Sequence, residues 1–122
     1  MPKGFALIIE DNREIGDIYA TTLQMAGFET EMVFDGKLAL DKLEERQPDL
    51  IILDMNLPQV SGHYIYKTIR SNRRLDNTVV IISTANTLVG NMLGEGLAQQ
   101  DQLLLKPVTP RQLREVVDNL NL

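Results

Sequence analysis

The sequence predicts an α/β fold, a single doubly wound (βα)5 domain built on a five-stranded parallel sheet with helices on both faces. Three observations carry this. Short apolar runs alternate with longer amphipathic stretches along the whole chain, which is the pattern of repeated strand and crossover-helix units. Three of the runs, at 5–10, 50–54 and 79–84, are nearly continuous in Val, Ile, Leu and other apolar residues, as suits strands covered on both sides. The chain has 122 residues and is 43% hydrophobic, enough for one buried core and too short for two.

Taken in order, the first strand is 5–10. The segment 14–26 follows, with Ile15, Ile18, Tyr19, Thr22, Leu23 and Met25 near helical spacing and Gly27 as a stop. The second strand, 29–33, is more polar than the others and is therefore expected at an edge. A helix over 37–46, with Leu38, Leu40 and Leu43 spaced along it, ends before Pro48. The third strand is 50–54, the third helix 64–72 and the fourth strand 79–84. The segment 86–99 carries Gly90, Gly94 and Gly96, each costing about 1 kcal/mol relative to Ala inside a helix, so any helix there is marginal. The fifth strand is 102–105. The last helix, 111–120, has Pro110 as its first residue and Thr109 as its N-cap.

Composition narrows the function. The net charge of -5 and the lack of a Lys/Arg cluster argue against direct nucleic-acid binding. The chain has no cysteine, which excludes disulfides and thiolate metal sites and makes the cytoplasm the simplest location. The N-terminal stretch lacks a long apolar h-region, and no apolar run is long enough to span a bilayer. No internal repeat, low-complexity tract or linker divides residues 1–122.

In a doubly wound sheet, functional groups gather at the carboxyl ends of the strands. Here the first strand ends in Glu10 and Asp11, the third in Asp54 and the fourth in Ser83 and Thr84, while the fifth runs into Lys106 and Pro107. Crowded carboxylates repel one another unless a cation compensates, and hard oxygen ligands suit Mg²⁺ or Mn²⁺. Each residue alone has a plainer reading: loop-capping acids, a solvated lysine before a turn proline, a strand-end hydroxyl bonding the backbone. Their convergence at strand ends favours a metal site.

Glu10-Asp11 after an apolar strand, Leu53-Asp54-Met55-Asn56-Leu57-Pro58 with Gly62 following, Thr84-Ala85, and Lys106-Pro107 together resemble the signature of response-regulator receiver domains, over essentially the whole chain. That resemblance implies a flavodoxin-like sheet of order 2-1-3-4-5 and a phosphorylation-dependent switch. Asp54 would be the phosphoacceptor. Asp11 would ligate the metal directly, Glu10 through a water, and the backbone carbonyl of Asn56 would complete the protein ligands with Asp54. Lys106 would pair with the phosphoryl oxygens, Thr84 would swing inward on phosphorylation, and Pro107 would follow a cis peptide bond. The implied partners are a sensor histidine kinase or histidine phosphotransfer protein, and an effector at the face formed by the fourth helix, fifth strand and fifth helix. The implied activity is self-phosphorylation and autodephosphorylation only.

One position departs from the family pattern. Three residues before Lys106, where the family usually carries Tyr or Phe as a switch partner, stands Leu103. With the glycine-rich segment 86–99, this suggests switching through the ordering of that segment, or a receiver-like adapter that works without phosphorylation. A Mg²⁺-dependent phosphohydrolase is disfavoured by Asn56, which stands where such enzymes place a second Asp. A flavin phosphate would be repelled by Glu10 and Asp11. The single histidine, His63, reads as a surface residue.

Overall fold

The structure is a computed structural model that describes residues 3–85, 96–120 and 122. Its strands are β1 (Gly4–Ile9), β2 (Phe28–Val33), β3 (Leu50–Asp54), β4 (Val79–Thr84) and β5 (Gln102–Leu105). The α-helices among the described residues are α1 (Arg13–Met25), α2 (Gly36–Glu45), α3 (Gly62–Ser71) and α4 (Pro110–Asp118), and a 3-10 turn spans Arg73–Leu75. The strands are all parallel, in the order β2-β1-β3-β4-β5. The order is the one the family resemblance implies, and the polar second strand lies at an edge, as its composition predicts. The expected helix within 86–99 falls largely on 86–95, outside the described residues.

Alternation along the strands divides the core in two. Leu7, Ile9, Ile51, Leu53, Val80 and Ile82 face one side and pack with Leu43 of α2 and Ile65 and Ile69 of α3. Ala6, Ile8, Leu50, Ile52, Val79 and Ile81 face the other and pack with Tyr19 and Leu23 of α1 and Leu113 and Val117 of α4. The second set sets up the site, because continuing its period of two brings Glu10, Asp54, Ser83 and Lys106 onto the same side at the carboxyl ends.

Local chemistry fixes where the helices start. Asn12, Asp35, Ser61 and Thr109 are N-caps, each accepting a hydrogen bond from the backbone N–H three residues on. The chain leaves α1 through Gly27, whose φ of +100° lies in the left-handed region that favours glycine. Helix phase corrects two details of the periodic reading. The face of α1 that meets the sheet is Gly16, Tyr19, Ala20 and Leu23, so Ile18 and Met25 point outward, Met25 at 73% exposure. In α2 the start at Gly36 turns Ala39 and Leu43 inward and leaves Leu38 exposed.

Candidate functional site

Each polar strand end is held by the regular element behind it. Glu10 directly follows β1, only 1% exposed, and its backbone N–H donates to the Val33 carbonyl at 3.1 Å. Asp54 closes β3 at 2% exposure, and Asp11 lies in the exposed turn before α1. The loop leaving β3 returns close over the strand, since a Cβ on Gly62 would sit 2.5 Å from the Asp54 carbonyl oxygen. Glycine is therefore required where α3 begins, because the loop comes back against the backbone of Asp54 and Met55 at the end of β3.

Oxygens of Glu10, Asp11 and Asp54 all lie within 4.8 Å of one another. Lys106 reaches across from the end of β5, its Nζ 3.1 Å from Glu10 Oε1 and 3.3 Å from Asp54 Oδ1. The Asn56 backbone N–H donates to Asp54 Oδ1 at 3.0 Å, and that of Asn12 to Glu10 Oε2 at 3.2 Å. Thr84 is fully buried at the end of β4, and its carbonyl accepts from the Lys106 N–H at 2.8 Å. The Lys106–Pro107 peptide bond is cis.

The electrostatics follow from the crowding. Burial, followed by the proton-sharing contact with Asp54, pushes the Glu10 carboxyl up from 4.5 to about 7; the Asn12 N–H and Lys106 only partly offset this. For Lys106, burial is the largest single influence and works against its charge. The attraction of Asp54 and Glu10 together outweighs it, so its pKa lies above the ordinary range. One ammonium thus serves two buried carboxyls and Asp11 lies alongside, leaving the pocket rich in oxygen donors. That donor set fits a hard divalent cation with Glu10, Asp11 and Asp54 as the protein ligands.

The structure therefore brings Glu10, Asp11, Asp54 and Lys106 together, with Asn56 bonded to the acceptor carboxylate through its N–H, while Thr84 is buried at the end of β4, one residue beyond the ladder partner of Asp54. Two further residues belong to the surroundings. Tyr19 of α1 is buried and feels the charges of Glu10, Lys106 and Asp54, and Ser83 is the ladder partner of Asp54. Helical spacing marked Tyr19 only as core. A signal for Ser83 was present in its two-residue offset from Ile81 on the face that leads to the site.

Comparison with known proteins agrees with this geometry. Residues 6–118 match the family model of the response regulator receiver domain. The chain is 35% identical over 91 residues to the polar-differentiation response regulator DivK of Brucella anthropi, covering 75% of this chain and 73% of that protein. It is 32% identical over 107 residues to the DNA-binding dual master transcriptional regulator RpaA of Synechocystis, but spans only 44% of that protein's length. Among solved structures, chemotaxis response regulator CheY4 of Vibrio cholerae superposes with a TM-score of 0.83 at 29% identity, covering 93% of this chain and 95% of that one. A putative response regulator from Chloroflexus aurantiacus gives 0.85 at 26% identity, covering 98% and 97%.

Proposed function

The chain belongs to the response regulator receiver family, and from that premise we propose that it is a signalling switch in which Asp54 accepts a phosphoryl group from a phosphohistidine. The donor is a sensor histidine kinase or a histidine phosphotransfer protein. The observation that carries the reading is the single cluster formed by the Asp54 carboxylate, the Lys106 ammonium at 3.3 Å and two further carboxylates within 4.8 Å.

Phosphoryl transfer asks the protein mainly for positioning and for compensation of charge on the transferred group. Asp54 Oδ forms the new O–P bond as the donor's N–P bond breaks, and the electron pair returns to the imidazole nitrogen, which takes up a proton. The Asn56 N–H fixes the carboxylate from behind. Lys106, already aligned on Asp54 and Glu10, offers its charge to the incoming oxygens. Glu10, Asp11 and Asp54, with the backbone carbonyl of Asn56, would hold Mg²⁺, or Mn²⁺ in its place. The chemistry a bound ion supplies is neutralisation of the carboxylates and of the phosphoryl oxygens. Thr84 then reads the modified carboxylate and passes the change to the face that includes β5 and α4, where a downstream effector binds. The protein works in the cytoplasm, and no helix of the described residues is long and apolar enough to cross a membrane. Its own chemistry is limited to self-phosphorylation and autodephosphorylation.

Incubation with acetyl phosphate and Mg²⁺ should add one phosphoryl group by intact mass, and Asp54→Asn should abolish the adduct. An undiminished adduct on the variant would refute the assignment. Lys106→Ala should impair phosphorylation, whereas Thr84→Ala should accept the group and fail to transmit it; wild-type behaviour in both would remove these roles. A second reading, a phosphorylation-independent adapter, rests on Leu103, which is partly buried against the α2/α3 core where the family's switch aromatic is expected. It requires partner binding that Asp54→Asn leaves unchanged.

A further inference from the structure

The sheet face that carries Glu10, Asp54 and Lys106 carries one more polar side chain, which the chemistry above leaves unused. Ser83 continues the row of Val79 and Ile81 on β4 and pairs with Asp54 across the ladder. The Met55 N–H donates to the Ser83 carbonyl at 3.1 Å, locking the two strand ends together. Ladder partners in neighbouring strands lie about 4.8 Å apart with their side chains on one face, so the hydroxyl is a neighbour of the acceptor carboxylate.

Ser83 is 1% exposed, and its Oγ has no hydrogen-bond partner among the described residues. A buried hydroxyl left unpaired is unfavourable and calls for a reason. Tyr19 stands over it from α1. The phenol lines, with Lys106, Ala85 and Pro107, a cavity of about 450 Å³ beside the site. Burial raises the Tyr19 pKa and the nearness of Ser83 opposes the rise, so the two side chains are neighbours even though Ser83 Oγ makes no hydrogen bond among the described residues. Ser83 is thus a desolvated donor, fenced by an aromatic ring, next to an oxygen that already accepts from Asn56 and Lys106.

We propose that Ser83 is a reserve hydrogen-bond donor for the phosphorylated state of Asp54, with Tyr19 as the positioning residue that keeps its hydroxyl dry and turned toward the site. Phosphorylation brings three strong acceptor oxygens and added negative charge to Asp54. A donor that has already lost its water then gains a charge-assisted bond with little reorganisation. The inference rests on the phosphoacceptor reading and adds to it a residue that discriminates the modified from the unmodified carboxylate.

The test is the affinity for beryllofluoride in the presence of Mg²⁺, the BeF3 group on Asp54 Oδ standing in for the phosphoryl group. Ser83→Ala should weaken this affinity about tenfold, as expected for losing one hydrogen bond to a charged group, and should leave the affinity for Mg²⁺ alone unchanged. Ser83→Cys, close in shape but a weak donor, should behave like Ser83→Ala. Tyr19→Phe, which keeps the ring, should weaken the mimic by a smaller factor. Ser83→Ala should fold as well as the parent, because it deletes an unpaired group. Wild-type affinity in Ser83→Ala, full affinity in Ser83→Cys alone, or an equal loss of Mg²⁺ binding would each overturn the proposal while leaving Asp54 as phosphoacceptor. Failure of the unaltered protein to bind the mimic would overturn both readings.

Discussion

Among the described residues, a buried polar cluster built on Asp101 and the one built on Glu10 and Asp54 sit at opposite ends of the sheet, and they differ in how their oxygens are used. At the amino ends, Asp101 accepts from the Val80 N–H at 2.7 Å through Oδ1 and from the Tyr66 hydroxyl at 2.7 Å through Oδ2, with Arg70 Nε 3.5 Å away. Tyr66 in turn accepts from the Ala98 N–H at 2.8 Å. At the carboxyl ends, Glu10 and Asp54 share one ammonium, and the Ser83 hydroxyl near the end of β4 has no hydrogen-bond partner among the described residues. The first cluster spends its acceptors on the fold and ties the stretch before β5 to α3 and β4. The second spends its acceptors within the site, on Lys106 and on the loop N–H groups of Asn12 and Asn56, so its carboxylates stay crowded together where a cation or phosphoryl oxygens can arrive.

The largest expected difference is in stability. Asp101→Ala would strip partners from the Val80 N–H, the Tyr66 hydroxyl and Arg70 at once, and should cost roughly 3 kcal/mol or more. Asp54→Asn, measured in the absence of divalent metal, should be neutral or stabilising because it relieves repulsion with Glu10. Urea unfolding of both variants decides the matter; equal destabilisation would erase the distinction between the two ends.

The next effect is of pH. A raised carboxyl favours the protonated folded state, so without metal the contribution of Glu10 to stability is fully present below its ordinary 4.5 and is lost as pH rises through about 7. Metal binding runs the other way, since it needs the carboxylate. Mg²⁺ affinity should therefore fall roughly tenfold or more between pH 7.5 and 5.5 as the proton competes. Glu10→Gln should flatten both profiles. Titrations followed by NMR or calorimetry would show this, and a pH-independent affinity in the parent protein would exclude proton competition at Glu10.

Much of the functional end was legible in the sequence because its residues fall at strand ends, where alternation and chain order suffice to predict convergence. Glu10, Asp54 and Lys106 each follow an apolar run whose period fixes their side of the sheet. Tyr19 was legible only as core, since an aromatic at helical spacing looks the same whether it covers an aliphatic layer or a polar site. Asp101 and Tyr66 were not legible as a pair. They are 35 positions apart, one before a short strand and the other inside a helix, and only the packing of α3 under β4 and β5 brings them within 2.7 Å. Leu38, Ile18 and Met25 show the opposite failure, apolar residues near helical spacing whose exposure depends on the helix's exact phase against the sheet.

The smallest expected effect separates the parts of the amino-end cluster. Burial, with Asp101 adding to it and the Ala98 N–H opposing, pushes the Tyr66 phenol up to about 12, so its hydroxyl remains a donor throughout the neutral range. Tyr66→Phe keeps the ring in the core and removes only that hydroxyl. Asp101 retains the Val80 N–H and Arg70, and the half-buried Ala98 amide can turn to water, so the cost should be about 1 kcal/mol, well below that of Asp101→Ala. Hydrogen exchange gives the sharper readout. The Ala98 amide should lose protection in Tyr66→Phe, because its acceptor is gone, while the Val80 amide should stay protected by Asp101 Oδ1. Equal loss at both amides would mean that the phenol supports the whole cluster and that Asp101 has no independent hold on β4.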